Sequence, residues 1–119
     1  MLGRLPGEYT LFNGNANHFV VFDLLNDCYI KNLRLKGRSD FNCTPKNIKI
    51  SIKKSNGNWE TKKSFIAKEF FGDYQYFDIG EEGRFIRIDF IDTWGTTGGN
   101  YILLKELALN ITDVVSLNI

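Results

Sequence analysis

Residues 48–59 read Ile48-Lys49-Ile50-Ser51-Ile52-Lys53-Lys54-Ser55-Asn56-Gly57-Asn58-Trp59, and the first six alternate strictly between apolar and polar. An extended chain turns successive side chains to opposite faces. The three isoleucines therefore share one buried face, and Lys49, Ser51 and Lys53 share a solvated one. β-Branched residues pack well on a pleated surface, which favours a strand over a helix. Asn56-Gly57 supplies two successive residues that tolerate positive φ, so residues 48–54 and 59–65 are predicted to form a hairpin.

The same reading extends outward. Ile86, Ile88 and Phe90 alternate with Arg87, Asp89 and Ile91, and further strands are expected at residues 19–24, 29–36, 59–67, 74–79 and 101–110. Gly72-Asp73 and Gly80-Glu81-Glu82-Gly83 separate apolar runs and predict turns. Residues 64–71 fit either period and are read as strand or loop. Seven or so short strands with turn signals between them predict an all-β fold, an antiparallel β-sandwich or jelly roll.

Composition agrees with this class. A chain of 119 residues with 43% hydrophobic and 24% charged residues has the balance of one globular domain, taken here as residues 1–119, with 113–119 read as a tail or edge strand. The 10 Phe and 5 Tyr fall mainly at alternating strand positions, so the aromatic content is chiefly a fold signal. A net charge of +1 removes the electrostatic argument for nucleic acid as a partner. Lys46, Lys49, Lys53, Lys54, Lys62 and Lys63 read as a solvated strand surface that also blunts an edge. No apolar run is long enough to cross a bilayer, and residues 1–14 lack the apolar core of a signal peptide. A cytoplasmic location is expected, extracellular if a leader was removed. Cys28 and Cys43 lack a metal-type spacing; one bridge between them is compatible with the sequence, and reduced thiols fit better. Asn42 and Asn110 begin glycosylation sequons that matter only outside the cell.

No GxSxG elbow, phosphate loop, dinucleotide fingerprint or spaced carboxylate pair is present, so catalysis is not expected. Function is sought in two loops longer than a hairpin needs. One is Gly37-Arg38-Ser39-Asp40-Phe41-Asn42-Cys43-Thr44-Pro45, and the other is Asp92-Thr93-Trp94-Gly95-Thr96-Thr97-Gly98-Gly99-Asn100. Each sets an aromatic ring among polar groups at a place where rigid sandwiches carry recognition.

The succession Phe19-Val20-Val21-Phe22-Asp23-Leu24, Ile30 to Gly37, Thr44-Pro45-Lys46-Asn47-Ile48 and Asn56-Gly57-Asn58-Trp59 resembles discoidin and coagulation-factor C-type domains. Tyr76-Phe77-Asp78-Ile79, Arg84-Phe85-Ile86-Arg87-Ile88 and Ile102-Leu103-Leu104-Lys105-Glu106-Leu107 continue the resemblance in order, so that it covers about residues 19–110. It implies a galactose-binding-domain-like sandwich whose loops at one end bind glycans, phospholipid headgroups or partner proteins, without catalysis. The family's first strands and a Trp are reduced here to residues 1–17, and the disulfide joining the termini of many extracellular members has no counterpart. That departure leaves a sandwich edge for another chain to complete.

Among relatives of this kind, the family-32 carbohydrate-binding modules use a loop Arg and Asn on sugar hydroxyls and an aromatic ring on the sugar's apolar face. By resemblance Arg38 and Asn42 hold those places and Trp94 is the stacking candidate, with Asp40, Phe41, Asn100 and His18 as further ligand-binding candidates. The plainer alternative pairs Arg38 with Asp40 and makes Trp94 a plug at the sandwich end. His18, the one histidine, can anchor no His-based metal site and otherwise reads as a surface residue at a strand start. Asp23 and Glu106 read as scaffold carboxylates. No cofactor is expected, although Asp92, Thr93 and Asn100 supply oxygens for a structural calcium ion.

Two functions follow. The first is a noncatalytic module recognising a galactoside-type glycan. The second is an intracellular protein–protein interaction subunit of a larger assembly, of the ubiquitin-ligase or ciliary-complex type, contacting partners or further copies of itself through Phe41, Trp94, the open edge and residues 114–119.

Overall fold

The computed structural model describes residues 2–5, 9–12, 18–37, 44–69, 72–94 and 101–113. Eight strands follow one another: β1 (Leu2–Leu5), β2 (Tyr9–Phe12), β3 (His18–Lys36), β4 (Asn47–Lys53), β5 (Glu60–Ile66), β6 (Tyr74–Phe90), β7 (Tyr101–Leu104) and β8 (Glu106–Asp113). Every ladder is antiparallel. Six strands join in the order β1-β8-β3-β6-β4-β5, and β2 pairs with β7 separately.

The hairpin expected around Asn56-Gly57 is present. β4 and β5 pair from Asn47↔Ile66 to Ile52↔Glu60, and the Gly57 N–H donates to the Lys54 carbonyl at 3.1 Å. Strand lengths differ from expectation elsewhere. Residues 19–24 and 29–36 belong to one strand of 19 residues, and 74–79 and 86–90 to one of 17. Residues 80–83, expected to turn, stay in the ladder through Glu81↔Ile30, Glu82↔Tyr29 and Gly83↔Cys28. Glycine makes this bend feasible: Gly80 has φ +65°, and a Cβ on Gly83 would collide with Ile52 Cγ2. The expected strand 101–110 is instead broken at Lys105, whose N–H donates to the Lys36 carbonyl at 2.7 Å. The reduced N-terminal segment nonetheless supplies two strands, β1 beside β8 and β2 beside β7.

Both long strands bend, and the bend makes the layers. The first half of β3 pairs with the second half of β6, which in turn pairs with β4. The second half of β3 pairs with the first half of β6 and with β8. The two zones face each other, since Phe65 of β5 lies 4.9 Å by ring centroid from Phe77 of β6. Ile30, Leu33, Leu35, Ile48, Ile50, Ile52, Phe77, Ile86, Ile88, Phe90, Leu107 and Leu109 accordingly form a single buried cluster. Cys28 joins it as a buried thiol whose Sγ donates to the Asn26 carbonyl at 3.4 Å.

At the bend of β3, residues 24–27 face Arg84 alone on β6, because pairing steps from Asp23↔Phe85 to Cys28↔Gly83. Leu25 sits there at φ 71°. Two carboxylates fix the excursion: Asp23 Oδ1 accepts the Leu25 N–H at 2.9 Å, and Asp27 Oδ1 accepts the Ser55 N–H at 3.0 Å. Arg84 grips Asp23 with Nε and Nη2, at 2.9 and 3.1 Å. The side-chain hydrogen bond from Arg84, then the Leu25 N–H, holds the Asp23 carboxyl below the usual aspartate range.

Candidate functional site

One end of the sandwich gathers three connections. Residues 44–46 run beside 92–94, with Lys46 N–H donating to the Asp92 carbonyl at 2.9 Å, Trp94 N–H to the Thr44 carbonyl at 3.2 Å, and Pro45 bridging Thr93. The end of β5 joins them as the Ala67 N–H donates to the Lys46 carbonyl at 2.9 Å. The described bases of the two long loops, residues 44–45 and 92–94, thus lie side by side. This follows locally from Asp92, whose carboxylate accepts both the backbone N–H and the side-chain amide of Asn47 at 2.9 to 3.0 Å. Thr44 Oγ1 is buried there with no hydrogen-bond partner among the described residues.

Trp94 is half-buried. Its indole N–H donates to the Ala67 carbonyl at 2.8 Å, and the Lys46 ammonium lies 4.8 Å from the ring centroid. The ring is therefore held in a fixed orientation at the loop end. His18 starts β3 opposite Phe90, half-buried. Arg38, Asp40, Phe41, Asn42 and Asn100 lie outside the described residues. Of the calcium candidates, Asp92 is engaged by Asn47 and Thr93 bridges Pro45. Among the described residues no group of three or more His, Cys, Asp or Glu is placed to hold a metal ion. The lysines are dispersed: Lys53 lies over Phe85, and Lys62 on the outermost strand β5 pairs with Glu60 and Glu81.

Sequence reasoning missed a second cluster, on the outward face where β8, β3 and the first half of β6 lie side by side. Register sets Lys36 opposite both Tyr74 and Glu106, and Arg34 opposite Tyr76. Arg34 and Lys36 lie over the Tyr74 ring at 4.8 and 5.1 Å. Glu106 accepts the Tyr74 hydroxyl and stands 3.6 Å from Arg34 Nε; that hydrogen bond is the largest cause of a raised Tyr74 phenol pKa. The signal available in the sequence was the spacing itself, two cations and two tyrosines each two residues apart.

No protein-family model matches the sequence, and no curated protein matches it significantly. Solved structures do match in fold. A putative chitobiase fragment from Bacteroides thetaiotaomicron aligns with TM-score 0.71 at 18% identity, over 85% of this chain and 64% of that one. The CBM32-3 module of a family 31 glycoside hydrolase from Clostridium perfringens gives TM-score 0.72 at 14% identity, over 88% and 75%. A further CBM32 module from Clostridium perfringens, in complex with GalNAc-β-1,3-galactose, gives 0.70 at 9%, over 86% and 73%. The chain thus spans less than two thirds of the chitobiase fragment it resembles, and it shares with all three the galactose-binding-like β-sandwich fold.

Proposed function

We propose that this chain is a noncatalytic carbohydrate-binding module that recognises a galactoside-type glycan at the loop end of its sandwich. The observation that carries the reading is the pairing of residues 44–46 with 92–94, which brings the bases of both long loops together beside an oriented Trp94. A pyranose offers hydroxyls to planar donors and acceptors and a C–H face to an aromatic ring. Arg38 and Asn42 supply the polar contacts, and Trp94 or Phe41 the ring. The fold shared with sugar-binding modules supports the same reading.

Calorimetric titration with methyl β-galactoside and N-acetylgalactosamine tests it. Binding in the millimolar range or tighter is expected, weakened about tenfold in Arg38→Ala through loss of a charged hydrogen bond. A folded sample that binds no sugar at millimolar concentration would overturn the proposal.

A further inference from the structure

The two flanks of β3 before its bend are unlike. One flank of residues 18–23 pairs with β6, and among the described residues the other flank pairs with nothing. Val20, Phe22 and Leu24 point inward on this stretch and pack on the core, yet each is only half-buried. Residues 18–22 also carry no Lys or Pro, the usual means of blunting an exposed edge. An edge of this kind calls for another strand.

β8 is aimed at it. It runs antiparallel to β3 on that same flank, from Glu106 opposite Lys36 to Asp113 opposite Cys28, and so stops at the bend. Continued in the same direction, it would meet residues 23 to 18 in turn. The bend is no obstacle, since β6 crosses it on the other flank with Arg84 alone between Gly83 and Phe85, a span of about 7 Å. The sequence goes on as Val114-Val115-Ser116-Leu117-Asn118-Ile119, outside the described residues, and residues 115–119 alternate apolar with polar.

We propose that residues 116–119 form a further antiparallel strand on the open flank of β3, with Val114 and Val115 crossing the bend. Three residue steps from Asp113 to Ser116 reach about 10 Å, enough for the crossing. Directly opposite side chains share a face, so alternation fixes the register. Leu117 then faces Phe22 and Ile119 faces Val20 on the core side, while Ser116 and Asn118 lie beside the exposed Asp23 and Val21. A slip by one residue would bury Ser116 and Asn118 and leave both apolar side chains in water. A second copy of the chain offers its own uncharged residues 18–22, but the tethered segment competes at an effective concentration on the order of millimolar. The segment is a strap that keeps the edge from other chains, and it is independent of the glycan reading.

Amide hydrogen exchange of the full chain, beside a chain ended at Asp113, tests it. Alternate N–H groups of residues 18–23 point away from β6. They should be protected in the full chain and exchange on the order of a hundredfold faster in the shortened one. The full chain should also show nuclear Overhauser contacts between Leu117 and Phe22, and Leu117→Asp should lose the protection at unchanged chain length. Equal exchange in all three chains, or no contact between Leu117 and Phe22, overturns the strap. Protection in the full chain that rises with protein concentration assigns the edge to a second copy and overturns it too. Sedimentation should find the full chain monomeric and the shortened chain self-associating; monomers in both overturn the shielding role.

Discussion

The two halves of β3 share one strand and one alternation, yet their surroundings are opposite. Residues 28–36 lie between β6 and β8, and Leu33 and Leu35 there are fully buried. Residues 18–23 have β6 as their neighbour among the described residues, and Phe19 and Val21 remain 51% and 45% exposed. Phe19 is covered on one side by the Arg87 guanidinium, 3.9 Å from its ring centroid, while Arg87 is itself held by Asp89 at 3.0 to 3.2 Å. The face of the strand decides burial first, since Val20, Phe22 and Leu24 of the first half pack against the core while Phe19 and Val21 point away from it, and Tyr29 on the outer face of the second half is also 44% exposed. The second neighbour, β8, then completes the burial of Leu33 and Leu35. Apolar side chains occur on both sides of the bend, and those of residues 28–36 sit closer to the centre of the core.

The sharpest way to break this comparison is to truncate one side chain in each half. Leu33→Ala should lower stability by about 3 kcal/mol, through lost transfer energy plus a cavity that a close-packed core fills poorly. Phe19→Ala should lower it by less than about 1 kcal/mol, because half the ring is already in water and the guanidinium contact is partly exposed. Urea midpoints at unchanged slope measure both. Equal losses would mean that the first half of β3 is as deeply integrated as the second.

Much of this layout is legible in the residues themselves. The Ile48, Ile50, Ile52 and Ile86, Ile88, Phe90 rows alternate cleanly and became inner faces of neighbouring strands, as period two requires. The continuity of β3 and β6 was hidden, because Gly80, Gly83 and the Asn26-Asp27 pair have the chemistry of turns. They serve here to bend a paired strand, which depends on partners distant in sequence. Trp94 was identifiable as an aromatic in a long loop, but its anchor, the Ala67 carbonyl, lies 27 residues away. The Tyr74 cluster draws on three strands, β3, β6 and β8, and strand order cannot be read from alternation.

The bend itself can be probed with a change of opposite sign. Leu25 is exposed and at φ 71°, where an L side chain is strained by on the order of 1 kcal/mol. Leu25→Gly relieves that strain and loses roughly 0.5 kcal/mol to the greater freedom of the unfolded chain. A net stabilisation of about 0.5 kcal/mol is expected by thermal or urea unfolding. Val21→Gly, in ordinary extended backbone on the same strand, should instead destabilise, by about 1 kcal/mol. Destabilisation by both substitutions would show that the bend does not depend on the left-handed residue.

The smallest effect concerns the carboxylate that fixes the bend. Asp23 is held below its ordinary pKa by Arg84 and by the Leu25 N–H, so between the folded and unfolded values the unfolded chain binds more protons. Its stabilising contribution is therefore complete above the ordinary aspartate value and is lost as pH falls through the lowered one. Asp23 is exposed to solvent, so salt should reduce the effect. Urea midpoints followed from about pH 5 to pH 2 should fall more steeply for the natural chain than for Asp23→Asn, which keeps an acceptor for Leu25 but has no charge for Arg84. Superimposable curves would mean that backbone geometry holds the bend without the ion pair. A difference that shrinks at high salt would assign it to the charge, and would mark the junction between the two halves of β3 as electrostatically fixed.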